Sequence, residues 1–171
     1  MREVARRIGV THQAPYHHFP DRESILAELV TRGFQDMGAR LARANESLSD
    51  GAPVASAIAS GEAYVGYALE HPGLFRVMFR PDLCDASRFP LAWQAGDNAY
   101  RQLVRLVASL HATGDTDALS HVYWAQVHGL AGLLLDGPLG LSLPDIVQRR
   151  ALARQALTVF ARHMLNGSDV T

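Results

Sequence analysis

A short run near the start of the chain, Thr11-His12-Gln13-Ala14-Pro15-Tyr16-His17, carries side chains suited to reading a nucleic-acid groove rather than to breaking bonds. The Gln13 carboxamide can pair with both hydrogen-bonding groups on an adenine edge, and Thr11 and Ala14 can meet a thymine methyl. Tyr16, His17 and, a little further on, Arg22 are placed to reach phosphate oxygens, with His12 beside them at the start of the run. Catalytic chemistry finds no comparable pattern. There is no HExxH, no CxxC, no Gly-rich phosphate loop and no GxSxG elbow, so no catalytic residue, cofactor or metal site is assigned and the chain is not read as an enzyme. His17 and His18 are adjacent and diverge by about 100° on a helix, which does not make a shared metal site.

Two short helices are needed to present that run. Val4, Ala5 and Ile8 recur on one side of a segment whose other side holds Arg2, Glu3, Arg6 and Arg7, which predicts an amphipathic helix. Gly9 can take the left-handed conformation that ends it, and Thr11 is a good N-cap for a second helix through His18. Pro15 is tolerated because the first turn has no helical acceptors for its N–H groups. Asp21, after Phe19-Pro20, is placed to cap a third and longer helix. This is the helix-turn-helix pattern, in which the second helix enters the major groove. Charge is segregated in the same sense: positions 1–43 hold seven Arg against five acids, and the remainder nine against twelve.

The run Arg2 to Phe34 resembles the DNA-binding domain of the tetracycline-repressor (TetR) family. The similarity rests on Gly9-Val10-Thr11, Tyr16-His17-His18-Phe19 and Asp21-Arg22-Glu23. Trp124-Ala125-Gln126-Val127-His128-Gly129 resembles the Trp/His/Gly signature of one C-terminal subgroup of that family, and His71 to Phe79 resembles a segment that accompanies it. Relatives carry one further helix before the first seen here, so the headpiece is expected to lack its first helix. Met1 is read either as an internal start or as a genuine truncation. On the second reading Val4, Ile8 and Phe19 lose apolar partners.

The rest of the composition is that of an ordinary globular chain, 48% hydrophobic and 19% charged over 171 residues. All 16 basic residues are Arg, which fits a G+C-rich coding sequence. A lone cysteine, Cys84, excludes an internal disulfide and suits a reducing cytoplasm, and no secretory leader opens the chain. The one uncharged stretch, Ala118 to Leu135, contains His121, Gln126 and His128 and falls short of the roughly 20 residues a membrane span needs.

Beyond the headpiece the pattern is helix after helix. Breaks at Asp50-Gly51-Ala52-Pro53, Arg80-Pro81-Asp82, Gly114-Asp115 and Asp136 to Gly140 predict helices over about 22–45, 53–70, 72–79, 87–111 (capped by Ser87), 116–135 and 144–165, with a loop at 136–140. The expected fold is all-α. A helix-turn-helix headpiece over 1–45 is joined to a helical-bundle ligand-binding and dimerisation domain over 46–171.

Two further sites are expected in that bundle. Ala125, Gly129 and Gly132 form a small-residue face on the penultimate long helix, and Leu152, Ala156 and Phe160 one of two apolar sides on the last; together they suggest a homodimer through a four-helix bundle. Burial inside a monomer is the plainer reading of such faces, and the family resemblance favours the dimer. Tyr64, Tyr67, Phe75, Met78, Phe79, Phe89, Trp93, Tyr100, Tyr123 and Trp124 concentrate aromatic and Met side chains in the middle helices, with Gln126 and Val127 beside them. Such spacing more often marks plain core. The resemblance implies a pocket for a small effector there, with Asn98, Gln126, His121 and His128 as candidate polar fixtures. For His128 a hydrogen bond between helices is favoured over ligand contact.

These expectations amount to a cytoplasmic, effector-responsive transcriptional regulator, a repressor acting as a homodimer on a palindromic operator. The rival is a dimerisation and small-molecule-binding module that has lost DNA affinity with its first helix.

Overall fold

The computed structural model describes residues 2–7, 9–11, 13–46 and 52–166, and the expectations for Ile8 and His12 lie outside the described residues. All regular elements among them are helical.

Helix α1 (Arg2–Arg7) stops where Gly9 turns to φ +72°. The Val10 N–H then donates to the Ala5 carbonyl at 3.0 Å and the Gly9 N–H to Arg6 at 3.3 Å, the paired bonds of a Schellman closure. The next element departs from expectation: it is a single 3-10 turn, Ala14–His17, not an α-helix from Thr11 to His18. Gln13 is its N-terminal flank, and no side chain caps it. The reason lies in two prolines. Pro15 has no N–H to give to the Thr11 carbonyl, which instead accepts from Ala14 at 3.1 Å, and Pro20 disfavours helical geometry at Phe19.

Helix α2 (Arg22–Glu46) is capped as expected, with the Asp21 carboxylate accepting from the Ser24 N–H at 2.7 Å and the Ser24 hydroxyl at 2.8 Å. Those bonds hold the Asp21 carboxyl below the usual range. At 25 residues α2 spans about 37 Å, enough to run from the headpiece across the whole bundle. Four helices follow: α3 (Pro53–Glu70), α4 (Pro72–Met78), α5 (Pro90–Leu110) and α6 (Thr116–Leu135). Ser87 does not cap α5. It sits in a 3-10 turn, Ala86–Arg88, where its N–H and hydroxyl both bond the Asp85 carboxylate, and α5 opens instead on Pro90. The expected loop after α6 contains a short helix, α7 (Pro138–Ser142), again opened by a proline at its first position, before α8 (Ile146–Asn166).

α3 is the hub of the bundle, meeting α2, α4, α5, α6 and α8, while α2 lies along α5. Val65 and Leu69 of α3 bury against Leu130 and Leu134 of α6 and Ala153 and Leu157 of α8. Met37 and Leu41 of α2 bury against Tyr64, Tyr67, Phe75 and Met78. An ionic brace crosses the same junction, where Arg40 of α2 and Arg150 of α8 both reach the Glu70 carboxylate of α3. Among the described residues no helix is long and apolar enough to cross a membrane.

Candidate functional site

Between α2, α3, α5 and α6 lies a cavity of about 450 Å³, within the size range of small-molecule pockets. Each wall follows from helical periodicity. Phe34, Met37 and Leu41 project from one face of α2; Ala57, Ser60, Gly61 and Tyr64 from one face of α3; Trp93, Gly96 and Tyr100 from α5; and His121, Trp124 and Val127 from α6. Trp93, 58% exposed, and His121, also exposed, mark its opening to solvent. No Arg, Asp or Glu lines it.

Of the residues singled out in the sequence, Tyr64, Met78, Phe79, Trp93, Tyr100, Tyr123, Trp124 and Val127 line this cavity, together with His121. Tyr67, Phe75, Phe89, Gln126 and Asn98 do not. Tyr67 is buried with its ring beneath the Arg40 guanidinium at 5.1 Å, and burial pushes its hydroxyl up to about 12. Phe75 packs behind Tyr64 and against the His128 ring, and Phe89 seals a separate small core around Ala27, Val30 and Ala92. Asn98 lies on the α2–α5 groove outside the cavity. Missed in the sequence were Phe34, Met37 and Leu41 on α2 and Ser60 on α3. Nothing in their spacing distinguishes a cavity wall from ordinary core.

The polar centre is built on Tyr64. Its hydroxyl lies 2.8 Å from His128 Nδ1 and accepts from the Trp124 indole N–H at 3.4 Å, tying α3 to α6. Burial pushes the Tyr64 hydroxyl well above the ordinary phenol range and lowers His128, so both are neutral. Phe75, Phe79 and Trp124 surround the imidazole. A second tie joins Tyr123 to His111 Nε2 at 3.0 Å.

The headpiece presents the other candidate surface. Thr11, Gln13, Tyr16, His17 and Arg22 are exposed, and Ala14 is half-buried. Arg6 and Arg7 are engaged with Glu3 at 2.6 and 3.0 Å.

A third surface is apolar. Val122, Ala125, Gly129 and Leu133 lie exposed along α6, as does Gly132, and Val147, Ala151 and Val159 along α8. Leu152 and Ala156 face inward instead, onto the α3–α6 core, and Phe160 packs edge-on to Tyr123 at 5.0 Å.

The sequence profile of the bacterial regulatory proteins of the tetR family matches residues 1–29, and that of the tetracyclin repressor-like C-terminal domain matches residues 57–160. The chain belongs to the TetR family. Its domains are those of a DNA-binding transcriptional regulator, and the TetR family is regulatory rather than catalytic. Among solved structures, a protein of unknown function from Rhodococcus sp. RHA1 is similar at 28% identity and a TM-score of 0.73, over 97% of this chain and 82% of that one. No curated protein matches. The two TetR-family matches coincide with the two surfaces described: the exposed turn lies within the first, and most of the cavity within the second.

Proposed function

We propose that this regulator is an effector-responsive repressor that works in the cytoplasm as a homodimer on a palindromic operator. One observation carries the reading: α2, which leads directly out of the headpiece, also forms a wall of the cavity through Phe34, Met37 and Leu41. A molecule filling the cavity presses on the helix that holds the reading turn. Two headpieces read two half-sites only at the correct separation, so a shift of α2 converts occupancy of the cavity into loss of operator affinity.

Thr11, Gln13 and Ala14 meet base edges in this reading, with His12 beside them, and Tyr16, His17 and Arg22 meet phosphates. The dimer forms through the outer faces of α6 and α8, where Ala125, Gly129 and Gly132 allow close helix approach and Val122 and Val159 supply apolar area. Leu152, Ala156 and Phe160 support that face from behind.

The test is a gel-shift titration on the intergenic DNA flanking the gene, paired with sedimentation. Gln13→Ala and Tyr16→Ala should each abolish specific binding and leave the dimer intact. Unchanged operator affinity would remove the reading turn from its role, and a monomer at micromolar concentration would remove the dimer. A second reading, a ligand-binding dimerisation module without DNA affinity, is favoured by the single 3-10 turn at Ala14–His17 and the exposure of Val4 and Val10. It predicts a dimer that binds ligand and shifts no DNA at all.

A further inference from the structure

We propose that the cavity selects an uncharged, predominantly aromatic molecule carrying a free hydroxyl, which Ser60 and Tyr64 hold together from one face of α3. The inference rests on the reading of the cavity as an effector site and names the chemical class of its occupant.

The lining excludes charge. A carboxylate or ammonium would lose its hydration on passing inward of His121 at the mouth, into a chamber whose walls hold no Arg, Asp or Glu, and burying an unpaired charge is costly. Aromatic rings are the dominant large groups instead, with Phe34, Tyr64, Phe79, Trp93, Tyr100 and Trp124 offering faces and edges to a planar ligand.

The polar anchor follows from counting donors and acceptors. Trp124 Nε1 can only donate, and it donates to the Tyr64 oxygen. A second N–H from His128 converging on the same oxygen would leave the Tyr64 proton without an acceptor. The arrangement that satisfies all three groups is a directed chain, indole N–H to phenol oxygen, phenol O–H to imidazole Nδ1, in which each bond polarises the next. Tyr64 therefore has no proton to offer the cavity. Its oxygen, contacted by the indole only at 3.4 Å, keeps accepting capacity.

Ser60 supplies the complement. It lies one turn before Tyr64, so both side chains leave the same face of α3, and both line the cavity. It is 5% exposed. The hydroxyls of Thr31, Ser56, Ser109 and Thr158 all fold back onto a carbonyl of the preceding turn. No hydrogen bond joins the Ser60 hydroxyl to the described residues, and the residue lines the cavity, where a hydroxyl can donate as well as accept. A ligand hydroxyl can donate to the Tyr64 oxygen while accepting from Ser60. A ketone or ether can use only the serine, and a hydrocarbon uses neither group.

Both tryptophans of the chain line the cavity, so their emission responds to its occupancy. Emission quenching with calorimetry should be measured for biphenyl, 4-phenylphenol, 4-methoxybiphenyl and biphenyl-4-carboxylate. The phenol is expected to bind about tenfold more tightly than the hydrocarbon and the ether, as one to two net hydrogen bonds would give. The carboxylate should bind about a hundredfold more weakly than the phenol, or not detectably. Ser60→Ala and Tyr64→Phe should each erase most of the preference for the phenol, with an unchanged far-ultraviolet circular dichroism spectrum showing that the variants are folded. Equal affinity for phenol and ether, a carboxylate that binds best, or a phenol preference that survives both substitutions would overturn the hydroxyl assignment and leave the cavity as an effector site. Failure of all four compounds, biphenyl included, to change the emission would overturn the effector-site reading itself and the assignment with it.

Discussion

The crossing of α2 over α5 offers a quantitative test, because Gly38 meets Ala99 there with little space between the two backbones. A Cβ added at Gly38 would stand 3.4 Å from the Ala99 Cα and 3.5 Å from its Cβ. That is ordinary contact, so Gly38→Ala fits without displacing α5. Removing a glycine from a helix interior also gains about 0.8–1 kcal/mol, and this variant should be slightly more stable than the parent. Gly38→Leu shares the gain, since leucine and alanine have similar helix propensity. Its further carbons branch from a Cβ already 3.4 Å from the α5 backbone, which cannot rotate aside as a flexible side chain can. Overpacking of this kind costs about 1–3 kcal/mol. The difference between the two variants isolates the steric term. For a chain of this size, about 2–4 °C per kcal/mol separates their melting temperatures by about 2–12 °C, with alanine the higher. Thermal unfolding followed by circular dichroism, checked by urea titration, reads it directly. A leucine variant that melts with the alanine variant would show that α2 and α5 do not cross at this point, and the cavity wall formed by Phe34 and Met37 would lose its position.

Four further outcomes are expected. Burial lowers His128 in the folded state, so between its ordinary value near 6.5 and its lowered one the unfolded chain binds more protons and stability rises with pH; urea titrations at pH 5 and 7 should show a loss at the lower pH that His128→Phe reduces, and an unchanged pH profile would refute the buried neutral imidazole. Leu157→Ala, at a site 2% exposed within the α3–α6–α8 core, should cost about 2–5 kcal/mol by chemical denaturation, whereas Val159→Glu, at 66% exposure, should leave monomer stability intact and shift sedimentation towards the monomer. The Arg76–Asp136 pair holds the Asp136 carboxyl below its usual range, yet both side chains are about half exposed, so Asp136→Asn should change stability by less than about 1 kcal/mol; a larger loss would show the pair to be shielded from solvent.

Much of the helical layout could be read from residue order, because helix ends depend on local chemistry. Asp115 accepts from the Asp117 and Ala118 N–H groups where the Gly114-Asp115 break stands, and α6 runs over Thr116–Leu135 as the breakers require. Gly9 ends α1 with the positive φ its lack of a side chain permits. Where local chemistry offered two solutions, the reading went astray. Proline at position 15 suits the first turn of an α-helix or a 3-10 turn equally, and Pro20 downstream left too little chain for the former. Ser87 had a nearer partner in Asp85 than in the helix it was expected to cap.

The sequence by itself determined an all-α chain, the approximate helix limits, and the family resemblance carried by Gly9-Val10-Thr11 and the Trp124 to Gly129 run, and it raised the expectation that residues around Gln13 and Tyr16 read a groove. Only the tertiary structure decided which apolar residues enclose a space and which fill one. Tyr67 and Phe75 look no different in sequence from Tyr64 and Met78, yet two lie behind the wall and two form it. The same holds for α8, where Leu152 and Ala156 turn inward and Val159 outward. Periodicity gives the angle between side chains on one helix, but not the rotation of that helix against its neighbours. That rotation is set by packing among α2, α3, α5, α6 and α8 together, a sum over contacts distant in the chain that no local pattern encodes.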